Sequence, residues 1–102
     1  MTKYEECMVL TELLDVKIKA VDKRDELMKF INDNKEEYWL HIDIIRIMLD
    51  DLYRIIIDEI NLINCARENN IIAKGIDYEE HYKMAENDMD FINKVKDVFS
   101  IE

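Results

Sequence analysis

The sequence predicts an all-α fold, an elongated bundle of three long antiparallel helices with coiled-coil-like packing, with dimerisation through the second helix as a further expectation. Three observations carry the prediction. The 102 residues contain no proline and one glycine, Gly75, alongside abundant Ile, Leu, Lys, Glu and Asp, which suits long uninterrupted helices. No stretch alternates cleanly between apolar and polar residues, and no Asn-Gly or Asp-Gly hairpin signal occurs, so the β-branched isoleucines do not indicate strands. Three apolar periodic runs each open on a capping-box pattern: Thr2 with Glu5, Asn34 with Glu37 and Asp77 with Glu80. A second acid in each opening turn (Glu6, Glu36, Glu79) meets the positive end of the helix dipole.

Helix 1 is expected over about residues 3–31, with an inward stripe of Cys7, Leu10, Leu14, Ile18, Val21, Met28 and Ile31. The polar run Asp22-Lys23-Arg24-Asp25-Glu26 interrupts that stripe. It reads as a solvated turn on a continuous helix, with Asp22 as a cap if the helix breaks there. Asn32-Asp33-Asn34 is a short polar turn, which folds helix 2 back antiparallel on helix 1.

Helix 2 is expected over about residues 35–70, ending at Asn69-Asn70 or at Lys74 with Gly75 as the left-handed terminating residue. At 1.5 Å per residue, about 34 residues make a rod of roughly 50 Å. Its polar residues Asp43, Arg46, Asp50, Arg54, Asp58 and Asn61 fall on one narrow side, and nearly all the rest of residues 38–63 is apolar. A helix so apolar around its circumference needs cover on more than one side. The alternating charges of the polar stripe read as a solvent-facing seam.

His41 and Glu59 lie in the middle of the apolar arc, beside Met48 and Leu52. They stand about 27 Å apart along the axis, too far to meet within one helix. An antiparallel pairing of two copies centred at residue 50 would set His41 against Glu59 of the other copy and Ile45 against Ile55. The expected dimer interface is therefore His41, Ile45, Met48, Leu52, Ile55 and Glu59. The alternative is that both polar residues project into water at the ends of the rod.

Helix 3, about residues 78–100, carries Tyr78, Tyr82, Ala85, Met89, Ile92, Val95 and Phe99 at alternating four- and three-residue steps, a coiled-coil-like seam flanked by Phe91 and Val98. The whole chain, residues 1–102, reads as a single helical domain, with no linker, internal repeat or low-complexity segment.

The net charge of −10 argues against direct contact with nucleic-acid phosphates or anionic membranes and favours solubility, or a basic partner. Half of it sits in residues 75–102, where eight acids face three bases. No apolar run approaches the roughly 18 residues that span a bilayer. The acids near the N-terminus argue against a signal peptide, and two widely separated cysteines, Cys7 and Cys65, suit reduced thiols in the cytoplasm.

Catalytic patterns are sparse, and no catalytic, cofactor-binding or metal-ligating residue is expected. There is no Gly-rich phosphate loop. Cys7, His41, Cys65 and His81 contain no close pair of zinc ligands, and Tyr38 and Tyr78 stand where a Glu-x-x-His metal motif needs glutamate. Helical nucleotide pyrophosphohydrolases pair Glu-Glu-x-x-Glu with a following Glu-x-x-Asp. Here Glu36-Glu37 is followed by Leu40, and Glu12 to Asp15 precedes it, so that resemblance fails on both elements.

One acidic surface stands out, formed by Asp77, Glu79, Glu80, Glu86, Asp88 and Asp90 with only Lys83 among them. The sequence therefore points to a non-enzymatic protein-binding module, an adaptor or regulator. A narrower version is a small acidic inhibitor, phage- or mobile-element-borne, that fills the basic groove of a nucleic-acid-binding protein by presenting carboxylates in place of phosphates.

Overall fold

Thr2 and Glu5 start the first helix as a reciprocal capping box: the Glu5 amide donates to Thr2 Oγ1 at 3.1 Å and the Thr2 amide to Glu5 Oε1 at 3.3 Å. In the computed structural model, which describes residues Met1–Glu102, α1 runs unbroken over Lys3–Asp33. The polar run at residues 22–26 is a turn of this continuous helix. A 3-10 turn at Tyr38–His41 leads into α2, Ile42–Glu68, and α3 spans Tyr78–Val98. The three helices form an antiparallel bundle of 51 × 20 × 18 Å. No helix is long and apolar enough to cross a membrane.

Asn34 does not start the second helix as expected. It closes the first: its Nδ2 donates to the Phe30 carbonyl at 2.8 Å and its amide to the carbonyls of Phe30 and Ile31. A residue spent on one helix's C-terminus is not free to cap the next, and α2 begins seven residues later than expected. Tertiary packing takes over in between. Tyr38 packs against Phe99 at a ring separation of 5.0 Å, and His41 meets Phe30 edge-on at 5.6 Å, so the turn seals one end of the rod.

The other boundaries follow from cap chemistry. Asp77 accepts from the amides of Glu79 and Glu80 and opens α3. Both α2 and α3 end in the paired hydrogen bonds of a Schellman motif. Ile71 N–H reaches Ala66 O at 2.9 Å with Asn70 in the left-handed region (φ 53°), and Ile101 N–H reaches Lys96 O at 2.7 Å with Ser100 there (φ 55°). In each, the isoleucine that follows is buried, which ties the helix end into the core. Gly75, at φ 89°, serves the connection to α3 and not the end of α2.

α2 lies between the other two helices. Its buried residues are Ile45, Leu49, Leu52, Ile56, Glu59, Ile63 and Ala66, a strict alternation of four and three that fixes coiled-coil-like packing. The main core joins Leu27 of α1 to Ile45, Leu49, Leu52 and Ile56 of α2, to Ala85, Ile92 and Val95 of α3, and to Ile101. The polar stripe of α2 from Asp43 to Asn61 is exposed throughout, as expected.

Two expectations about packing are corrected. Ile45, Leu52 and Glu59 are enclosed by helices of the same chain, with His41, Met48 and Ile55 half-buried, so α1 and α3 occupy the face expected to pair with a second copy. On α1, the buried side chains are Leu13, Ala20 and Leu27, while the expected inward residues Leu14, Ile18, Val21 and Met28 are 45–60% exposed. Both series repeat every seven residues. The helix is turned by about 100°, one residue's worth, from the expected orientation.

Candidate functional site

The rotation of α1 leaves an uncovered apolar flank on the outside of the bundle. Leu14, Ile18, Val21 and Met28 lie along it, with Cys7 exposed farther toward the N-terminus and Leu10 half-buried. Such a flank is the apolar stripe of an amphipathic helix without the neighbour that usually covers it. Met84 of α3, 40% exposed, extends the surface across the seam between the helices.

α1 and α3 meet across that seam through long side chains. Arg24 Nη1 donates to Asp88 Oδ1 at 2.6 Å, and its guanidinium lies 4.3 Å from the centre of the Phe91 ring. Lys17 Nζ lies 2.9 Å from Met84 Sδ, a weak acceptor for an ammonium group. Between these two bridges a cleft of about 190 Å³ opens over α2. Lys17 and Val21 belong both to its wall and to the apolar flank, so cleft and flank form one continuous surface.

Glu59 is part of the cleft lining, and it is the only charged residue among the buried side chains, with 2% of its surface exposed. Its carboxyl makes no hydrogen bond and no ion pair with any other residue. Burial raises its carboxyl pKa above the ordinary range; the positive charge of Lys17 opposes that shift and the negative charge of Asp88 adds to it. Ala20 stands opposite on α1, the one small member of the Leu13-Ala20-Leu27 series, and its missing bulk leaves the space above the carboxyl.

His81, one turn before Ala85 on α3, belongs to the same electrostatic neighbourhood. Its Nδ1 is buried without a hydrogen-bond partner. Burial and then the Lys17 charge lower its pKa, against the pull of Glu80 and Asp77.

The six acids expected to make one surface in the C-terminal third do not do so. Asp88 points inward to Arg24, with 15% of its side chain exposed, and Asp77 caps α3. At about 100° per residue, Glu79, Glu86 and Asp90 align on one exposed side of α3 with Asp97, while Glu80 lies elsewhere around the helix. The acidic stripe is therefore narrower than expected and runs about two helical turns farther, to Asp97.

Compared with protein-family models, curated proteins and solved structures, the chain shows no significant match to any of them.

Sequence reasoning placed Glu59 on the apolar arc but missed the residues around it: Lys17, Ala20, Val21 and Met84. Their signal was present in one respect. Ala20 is the small residue in a seven-residue repeat of leucines, the usual mark of a close approach or a gap.

Proposed function

We propose that the protein is a non-enzymatic binding module that docks another protein on the exposed flank of α1 and the adjoining cleft. The observation that carries this reading is the flank itself: Leu14, Ile18, Val21 and Met28 at helical spacing, half-exposed, with no part of the chain lying over them. Leaving four large apolar side chains in water forfeits about 1 kcal/mol or more apiece relative to burial. A partner that covers them recovers it.

The charge defines the partner. At −10 the chain repels a second copy and attracts a basic protein, and its salt-screened field speeds encounter with one. An amphipathic helix with a basic border is the complementary shape and charge, laid into the flank as helices dock into apolar grooves. The free thiols of Cys7 and Cys65 fit a reducing, cytoplasmic setting.

The narrower reading, an inhibitor that occupies a nucleic-acid-binding groove, draws on the stripe of Glu79, Glu86, Asp90 and Asp97. It differs in which face the partner touches. Affinity capture with the full chain and two double variants separates the readings. Ile18→Asp with Val21→Asp abolishes capture if the α1 flank is the docking face, while Glu86→Lys with Asp90→Lys abolishes it, and capture weakens steeply with salt, if the acidic stripe is. Circular dichroism confirms that both variants remain folded. Partner retention unaffected by the α1 pair overturns the leading reading.

A further inference from the structure

We propose that the cleft over Glu59 receives the cationic tip of a lysine or arginine side chain from the docked partner. The inference rests on the docking reading above and names the chemistry at its centre.

Six of the seven buried places along α2 are apolar, and the seventh holds Glu59. An ionisable group in a coiled-coil seam is stabilised by a partner, and within the chain Glu59 feels the Lys17 charge but makes no direct ion pair. The candidates nearby are committed elsewhere. Arg24 is held by Asp88 and stacked on Phe91, and Lys17 rests on the thioether of Met84. The carboxyl therefore faces an open space with acceptor capacity and no donor.

At about 190 Å³ the space has room for one long side chain. Ala20 and Val21 form an aliphatic wall, Met84 closes the far side, and Lys17, Asp25 and the Arg24–Asp88 ion pair add to the lining. An alkyl stem would lie against the wall while an ammonium or guanidinium group reaches the floor. Lys17 and Val21 line both the cleft and the flank that carries Ile18, so a helix lying along α1 would run beside the cleft. Aliphatic contacts along the flank and one desolvated charge pair in a pocket are the usual division of labour at a binding surface. A pair of this kind also gives specificity, because a partner with a neutral or acidic residue at that place leaves the carboxyl buried and unpaired.

The test uses side-chain analogues as probes on the full chain with labelled methyl groups. n-Butylammonium and n-propylguanidinium stand for the lysine and arginine tips, with 1-butanol as the neutral control at matched ionic strength. The expected result is saturable movement of the Ala20 and Val21 methyl signals by the two cations, and not by the alcohol, with a fall in the Glu59 carboxyl pKa on binding. Glu59→Gln, close to isosteric and neutral, weakens cation binding by about tenfold or more. Ala20→Leu, which fills the space and leaves the acid in place, abolishes it. Failure of the wild-type methyls to respond overturns the inference, and so does equal binding by Glu59→Gln. The two proposals fail separately: a partner lost with Ile18→Asp and Val21→Asp but fully retained by Glu59→Gln leaves docking intact and removes the role of the cleft.

Discussion

Arg24 of α1 donates to Asp88 of α3 at 2.6 Å, and this contact joins two helices that otherwise touch mainly through long side chains. The guanidinium also lies on the Phe91 ring, so one residue supplies both an ion pair and a cation–π contact. The Arg24 side chain is 40% exposed, which discounts the worth of the pair. Arg24→Ala is expected to cost about 1 kcal/mol in urea denaturation. Arg24→Lys should recover only part of it, because an ammonium group cannot stack as the planar guanidinium does. An unchanged midpoint in both variants would show that α3 is held by α2 alone.

Glu59 is expected to make the protein less stable than an apolar residue at the same place would. Glu59→Met is expected to raise stability by about 1–3 kcal/mol at neutral pH, since it removes an unpaired buried charge and fills part of the cleft. The pH dependence follows from the raised folded-state pKa. A carboxyl with a folded pKa above its unfolded value favours the fold fully below the unfolded value of about 4.5, and that contribution is lost as pH rises through the folded value. The advantage of Glu59→Met over the wild type should therefore grow from pH 4.5 upward and then level off. A constant difference across that range contradicts the assignment.

Ser100 holds a left-handed conformation, φ 55°, that glycine adopts without cost and serine does not. Ser100→Gly is expected to stabilise the chain by about 0.5–1 kcal/mol by thermal melting, and Ser100→Val to destabilise it. Loss of stability in Ser100→Gly would mean that the end of α3 is not held as a Schellman motif.

Much of this architecture is legible in the residues themselves because local chemistry decides it. Thr2 with Glu5, Asp77 before Glu79 and Glu80, and the charge-alternating stripe from Asp43 to Asn61 each act within a few residues of their partners. What failed needed tertiary information. Asn34 can equally end one helix or start the next, and the packing of Tyr38 on Phe99, 61 residues away, settles the matter. Leu13, Ala20 and Leu27 repeat with the same period as Leu14, Val21 and Met28, so periodicity cannot say which series faces α2. The candidate site fell in that gap. Glu59 was visible as an acid on an apolar arc, but only the turned face of α1 shows that Ala20 and Val21 line the cleft beside it.

The measurement that bears most directly on the binding face is the stability of Leu13→Ala beside that of Leu14→Ala, two leucines adjacent in sequence and placed on opposite sides of the α1 boundary. Leu13 is fully buried and Leu14 is 45% exposed. Leu13→Ala is expected to cost about 2–5 kcal/mol and Leu14→Ala less than about 1 kcal/mol in equilibrium unfolding. Equal costs, or a larger cost at Leu14, would place the apolar flank inside the bundle and leave no surface on α1 for a partner to cover.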